Sequence, residues 1–136
     1  MDVAKLRPVE VIAVYKTGSL VTMVTDTKDI GHGSDAISAL QNMRQTSPAV
    51  IYLDTAEYLL IGYGAEAEVE SIREELKGTV KLCRTDRTLD LKEAAEYLPV
   101  HGNLPQLRQW QKGQALPEIV AQKDRLKISE KHEKDS

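Results

Sequence analysis

The chain has no phenylalanine, one tryptophan and one cysteine, and aromatic residues make up 4% of its 136 positions. A core without Phe has to be filled by Val, Ile, Leu and Ala. A lone cysteine, Cys83, excludes an intramolecular disulfide and reads as a small, inert structural thiol. No apolar run approaches the ~20 residues of a membrane-spanning helix, so no direct membrane insertion is expected. Basic charge is not in excess either: Lys and Arg number 18 against 21 Asp and Glu, a net charge of −3. A nucleic-acid partner is therefore not expected, because neutralising phosphates needs a clustered basic surface. The opening stretch MDVAKLRPVEVIAVYKTG lacks the pattern of a signal peptide and has no cysteine to carry a lipid. The expectation is a cytoplasmic chain, membrane-associated if the sequence is a fragment of a longer lipoprotein. No internal repeat at a solenoid period is visible.

What is present is ordinary globular material, enough for one domain that buries roughly two-thirds of its unfolded surface. Val9–Tyr15 and Leu20–Thr25 are apolar and β-branched, separated by Lys16-Thr17-Gly18-Ser19, and read as a β-hairpin. An uncovered face on this hairpin would be a sizeable apolar patch and would argue for a partner. Asp26–Gly33 reads as a polar connection. Ser34 suits a helix N-cap, Asp35 suits the positive end of the helix dipole, and Ala36, Ile37, Leu40 and Met43 follow at helical spacing. Ser47-Pro48 stops that helix.

Ala49–Leu53 and Tyr58–Ile61 are strand candidates, joined by a connection short enough for a hairpin, with a broken strand as the alternative. Gly62-Tyr63-Gly64 then opens a helix striped by Ala65, Val69, Ile72 and Leu76, with Gly78 as C-cap. Thr79–Arg84 reads as a further strand. Asp90 and Glu93 make a capping-box-like start for a helix over Leu91–Leu98, ended by Pro99. The expected fold class is α/β of the α+β type: a mixed sheet in the order β-β-α-β-β-α-β-α, with helices mainly on one face. Residues 1–100 form this domain. Residues 101–128 are expected as a helical extension, with Leu104, Leu107 and Trp110 on one short helix and an amphipathic segment from Glu118 to about Ile128. Residues 129–136 read as a disordered polar tail.

The sharpest chemical motif is Gly62-x-Gly64-x-x-Ala67, which follows a strand, opens a helix and has Asp86 just past the next strand. That is close to the dinucleotide fingerprint, in which glycines let the backbone approach a pyrophosphate at a helix N-terminus. Glu66 and Glu68 in the first turn would repel those phosphates, and a tight strand-to-helix turn is the better explanation of both glycines. His32, His101 and His132 lack the close spacing of a metal site, so no metal is expected. Cys83 or Ser34 with His32 or His101 has no nucleophile-elbow context, so no catalytic residue is assigned. Lys81 shares a strand face with Cys83 without a base beside it. The acidic outer face of the second helix reads as solvated surface, and the Trp110 stripe as a helix folded back over its own sheet.

Gly33–Pro48 (GSDAISALQNMRQTSP), Ile51-Tyr52-Leu53 and Tyr58-Leu59-Leu60-Ile61-Gly62 together resemble the N-terminal subdomain of Ger(x)C-type spore germination proteins. The resemblance covers about Val9 to Leu98 and rests on small apolar words. It implies a hairpin, a helix with an Ala/Leu core, two short strands and a further helix. It also implies a non-enzymatic subunit of a nutrient germinant receptor, acting by assembly with membrane-embedded partners. Family members are much longer and carry a lipid-anchoring cysteine after a signal sequence, and this sequence shows neither. The family supplies no catalytic residues. The leading expectation is thus a non-catalytic interaction domain with a protein partner and no cofactor. The alternative is a nucleotide- or dinucleotide-binding module using Gly62, Gly64 and Asp86.

Overall fold

A computed structural model describes residues 6–85, 89–101, 103–122 and 125–129. Among these residues, nine strands and three α-helices follow one another as β1 (Leu6–Pro8), β2 (Val11–Thr17), β3 (Leu20–Thr25), β4 (Ile30–Gly33), α1 (Ala36–Thr46), β5 (Val50–Tyr52), β6 (Tyr58–Gly62), α2 (Glu68–Ile72), β7 (Lys81–Thr85), α3 (Leu91–His101), β8 (Glu118–Gln122) and β9 (Arg125–Ser129). Single 3-10 turns extend α2 over Arg73–Glu75 and lie at Leu107–Gln109. The fold is α+β with a mixed seven-stranded sheet ordered β4-β3-β2-β6-β7-β8-β9. Strands β2, β6, β7 and β8 run parallel, and antiparallel pairs close both ends of the sheet.

The sequence alternation explains which side chains meet. One face of the sheet sends Ile12, Val14, Val21, Met23, Leu59, Ile61 and Leu82 against Ala36, Ala39, Leu40 and Met43 of α1 and Val69 and Ile72 of α2. The other sends Val11, Ala13, Leu60 and Cys83 against Leu91, Ala94 and Leu98 of α3. Two of the described helices therefore share the first face, and the third packs on the second. The β2/β3 hairpin pairs over its whole length from Ile12↔Thr25 to Thr17↔Leu20, and Gly18 at its tip takes φ +61, as the turn requires.

Several expectations are corrected. Residues 26–33 are not all connection: Ile30–Gly33 form an edge strand. Its glycines hid it, and they are there because α1 lies directly on the strand. A Cβ on Gly31 would overlap Ala39 O and stand 2.6 Å from Met43 N. The N-cap of α1 is Asp35, whose carboxylate accepts from Ser38 N at 2.8 Å, rather than Ser34. β5 and β6 are not a hairpin. β5 pairs in parallel with β1 in a separate two-stranded ribbon, while β6 enters the main sheet. Pro99 does not end α3, which continues to His101. A proline in the last turn removes a single hydrogen bond, so the helix tolerates it there better than in its middle.

The largest correction concerns the expected helical extension. Glu118–Ile128 is a β-hairpin, β8/β9, paired from Glu118↔Ser129 to Gln122↔Arg125 and added to the edge of the main sheet. Its half-buried side chains Ala121, Leu126 and Ile128 all pack beside α3. Short apolar spacings of this kind fit a helix stripe on paper, and the sheet edge offered by β7 decides the matter. Before reaching β8, the chain crosses from one face to the other at that same edge. Leu82 N bonds to Pro105 O at 2.9 Å and Arg108 N to Gly78 O at 2.9 Å, and Leu107 N also bonds to Val80 O. Leu104 thus belongs to the second-face core, whereas Leu107, Trp110 and Leu116 belong to the first. The expected polar tail, apart from Ser129 at the end of β9, lies outside the described residues.

Candidate functional site

Two surfaces stand out once the layers are placed. The first is the second face of β3 and β4. Register sets Ala13, Val24 and Ile30 in one row and Tyr15, Thr22 and His32 in the next. Helix α3 covers the centre of this face but not its end, and Ile30 remains 48% exposed and Leu20 47%. Thr22 Oγ1 and His32 Nδ1 lie 3.0 Å apart on it. Ile30 sits beside Val24 at one end of this face and Leu20 lies at the other end of β3, with the Thr22–His32 pair between them. At the edge of the sheet beside them, His32 N donates to Asn42 Oδ1 of α1 at 2.9 Å, so this one ladder donor is already used. At the opposite edge Ile128 N donates to Tyr97 Oη of α3 at 3.1 Å.

The second surface is a cleft of about 680 Å³ on the first face, lined by Glu66, Arg84, Trp110, Lys112 and residues 113–116. It lies outside the carboxyl ends of β6 and β7. There the chain leaves β6 for α2 on the first face and β7 for α3 on the second. Such a switch point is where open α/β sheets form crevices for ligands. Arg84 Nη2 donates to Glu66 Oε2 at 2.6 Å, and the guanidinium carbon stands 5.3 Å from the centre of the Tyr63 ring. Tyr63 Oη in turn donates to Glu118 Oε1 at 2.6 Å. The floor is tied down by Arg73, whose guanidinium donates to Leu107 O at 2.8 Å and Trp110 O at 3.1 Å. Trp110 Nε1 donates to Gln114 O at 3.2 Å.

The glycine turn borders this cleft but is shaped by packing. A Cβ on Gly62 would stand 2.9 Å from Tyr15 Cδ1, and Gly64 takes φ +83. Ala65 N, Glu68 N and Val69 N already donate to Gly62 O, Ala65 O and Glu66 O, so these donors are not available to a pyrophosphate. Glu68 turns away to cap a different helix, accepting from Ala36 N at 3.0 Å, and Ser71 Oγ accepts from Ile37 N at 2.9 Å. Asp86, the third member of the fingerprint, lies outside the described residues.

The remaining candidates do not converge. Ser34 is exposed before α1 and His32 sits on β4. His101 ends α3, and His132 lies outside the described residues. Among the described residues no group of three His, Cys, Asp or Glu is placed to hold a metal. Burial pushes the Cys83 thiol up to about 12, so it is a neutral core group. Lys81 lies 5.8 Å from the centre of the Tyr58 ring rather than activating Cys83. Comparison with known proteins returns no match to a family model, a curated protein or a solved structure. No described helix is long and apolar enough to cross a membrane.

Sequence reasoning missed Ile30 and Arg84. For Ile30 a signal existed, since Ile30-Gly31-His32-Gly33 is an alternating word beside a hairpin. For Arg84 the partner is 18 positions away, and no local pattern links it to Glu66.

Proposed function

We propose that this chain is a non-catalytic interaction domain that docks a protein partner through the outer face of β3 and β4. The observation that carries the reading is the half exposure of Leu20 and Ile30 at the two ends of the outer face of β3 and β4, on a sheet whose other face buries β2 and β3 against α1 and α2. The resemblance of Gly33–Gly62 to Ger(x)C-type spore germination proteins supports an assembly role, in which the partner belongs to a membrane-embedded nutrient receptor. Acting by assembly also suits a surface built from apolar side chains and a Thr–His pair rather than from acid–base groups.

A photo-crosslinking amino acid placed at Leu20 or Ile30, in cells that make the protein, is expected to trap one discrete partner. The same probe at Glu75, on the α1/α2 side, is expected to trap none. Equal adducts from all three positions would refute this face as the docking surface. A discrete adduct with a protein that has no membrane-receptor association would keep the face and remove the germination assignment.

A further inference from the structure

The Arg84 cleft has an incomplete contact at its centre. On the same side of the protein Arg73 shows what a complete one looks like. Its Nε donates to Glu70 Oε1 at 3.1 Å and its Nη2 to Glu70 Oε2 at 2.8 Å, the two-pronged grip of guanidinium on a carboxylate. Arg84 presents the same edge to Glu66 but only the Nη2 prong is used. Its Nε is buried and has no hydrogen-bond partner among the described residues. Buried donors are almost always satisfied, so an orphan one calls for an explanation. Here the orphan belongs to a charged group at a cleft of ligand size, at the switch point of the sheet.

We propose that the cleft binds a small organic anion whose oxyanion head grips the Nε and Nη2 edge of Arg84, displacing Glu66. Glu66 is a stand-in that occupies half of the site in the empty state. The pair is a quarter exposed, at 24% and 25%, so the exchange takes place at the cleft wall without opening the core. Lys112 adds a second positive charge to the lining, and Ala115 and Leu116 offer apolar surface to the rest of the ligand. This site is on the opposite face of the sheet from Leu20 and Ile30 and does not depend on the docking surface.

Trp110, the only tryptophan, lines the cleft and reports its occupancy by fluorescence. Titration of the full chain with sodium benzoate or with inorganic phosphate, at constant ionic strength, is expected to give a saturable change with at least one of them. Saturation by benzoate alone assigns a carboxylate head, and saturation by phosphate alone a phosphate head. Arg84→Lys keeps the charge but loses the two-pronged edge, and is expected to weaken binding about tenfold. Glu66→Gln removes the competing charge and is expected to tighten binding severalfold. The proposal is overturned if neither anion saturates below about 10 mM, a very weak affinity. It is equally overturned if Arg84→Lys binds as the parent does. Should Arg84→Lys fail to fold, Glu66→Gln binding no tighter than the parent overturns it on its own.

Discussion

Gly31→Ala adds one methyl group where α1 lies directly on β4. That methyl would overlap Ala39 O outright and stand 2.6 Å from Met43 N and 2.8 Å from Met43 Cβ, against an ordinary contact near 3.4 Å. Two of these atoms are helix backbone, so no side-chain rotation relieves the clash. Helix α1 has to lift off β4 by about 1 Å, a gap that forfeits a quarter to a half of each dispersion contact it stretches. The contacts at risk are those of Ala36, Ala39, Leu40 and Met43, all fully buried. Overpacking of a core costs about 1–3 kcal/mol, and the stretched contacts add to it, so a loss of about 3–4 kcal/mol is expected. With a urea slope of about 2 kcal/mol/M, the unfolding midpoint should fall by about 1.5–2 M. Gly18→Ala is the control. Gly18 has φ +61 but nothing within 4 Å, so the same methyl there costs only the backbone penalty of about 1–2 kcal/mol. Urea unfolding followed by circular dichroism reads both variants. A Gly31→Ala midpoint within about 0.3 M of the parent, or a fall no larger than that of Gly18→Ala, would refute the steric argument.

Glu68→Ala removes the acceptor that Ala36 N and, at 3.8 Å, Lys16 Nζ share, and is expected to cost about 2 kcal/mol by leaving a buried donor unsatisfied. Urea midpoints check this, with Glu70→Ala, on an exposed carboxylate, as the comparison. Asp35 has its carboxyl held below the usual range by the backbone and side chain of Ser38. Its cap is therefore intact above the ordinary aspartate pKa and is lost as pH falls through the lowered value. Asp35→Asn should flatten the acid limb of the stability profile below the ordinary aspartate pKa of about 4. Cys83, with its thiol raised to about 12, is expected to ignore a thiol reagent at pH 8 in the native protein and to react on unfolding. Because the raised group favours its protonated form, its contribution is whole below about pH 8.5 and declines as pH rises towards 12. A fast native-state thiol reaction would contradict the burial.

The parts of the fold legible in the sequence were those written locally. The β2/β3 hairpin, α1 with its Ser47-Pro48 stop, and the Ala65–Val69–Ile72–Leu76 stripe all follow from spacing within a short window. That stripe is buried throughout. The parts that were not legible depend on distant company. Ile30–Gly33 is a strand because β3 lies beside it and α1 above it, and glycine lowers intrinsic strand preference at the positions where the helix demands it. Glu118–Ser129 is a hairpin because β7 leaves an edge to pair with, which overrides a helix-like spacing. The proposed docking face overlaps the conditional patch on the first hairpin only at Leu20; Ile30 lies on β4, read from the sequence as connection. The cleft was not anticipated, although its neighbour Gly62-x-Gly64 was singled out. What distinguishes it is a charge pair between a turn and a strand, which no pattern in the chain announces.

The split edge of β7 has a consequence for how the protein is made. One half of that edge is held by the crossing segment around Pro105–Arg108, and β8 meets the other half at only Arg84↔Glu118 and Thr85↔Ile119. During synthesis the strands from β2 to β7 leave the ribosome well before β8. Until the crossing segment and β8 emerge, β7 is the open flank of a nascent sheet, the kind of flank that recruits other chains. The crossing segment emerges first and shuts half of it. A stop codon placed after Trp110 should therefore yield a chain that is more soluble than one stopped after Thr85, even though neither contains the final hairpin.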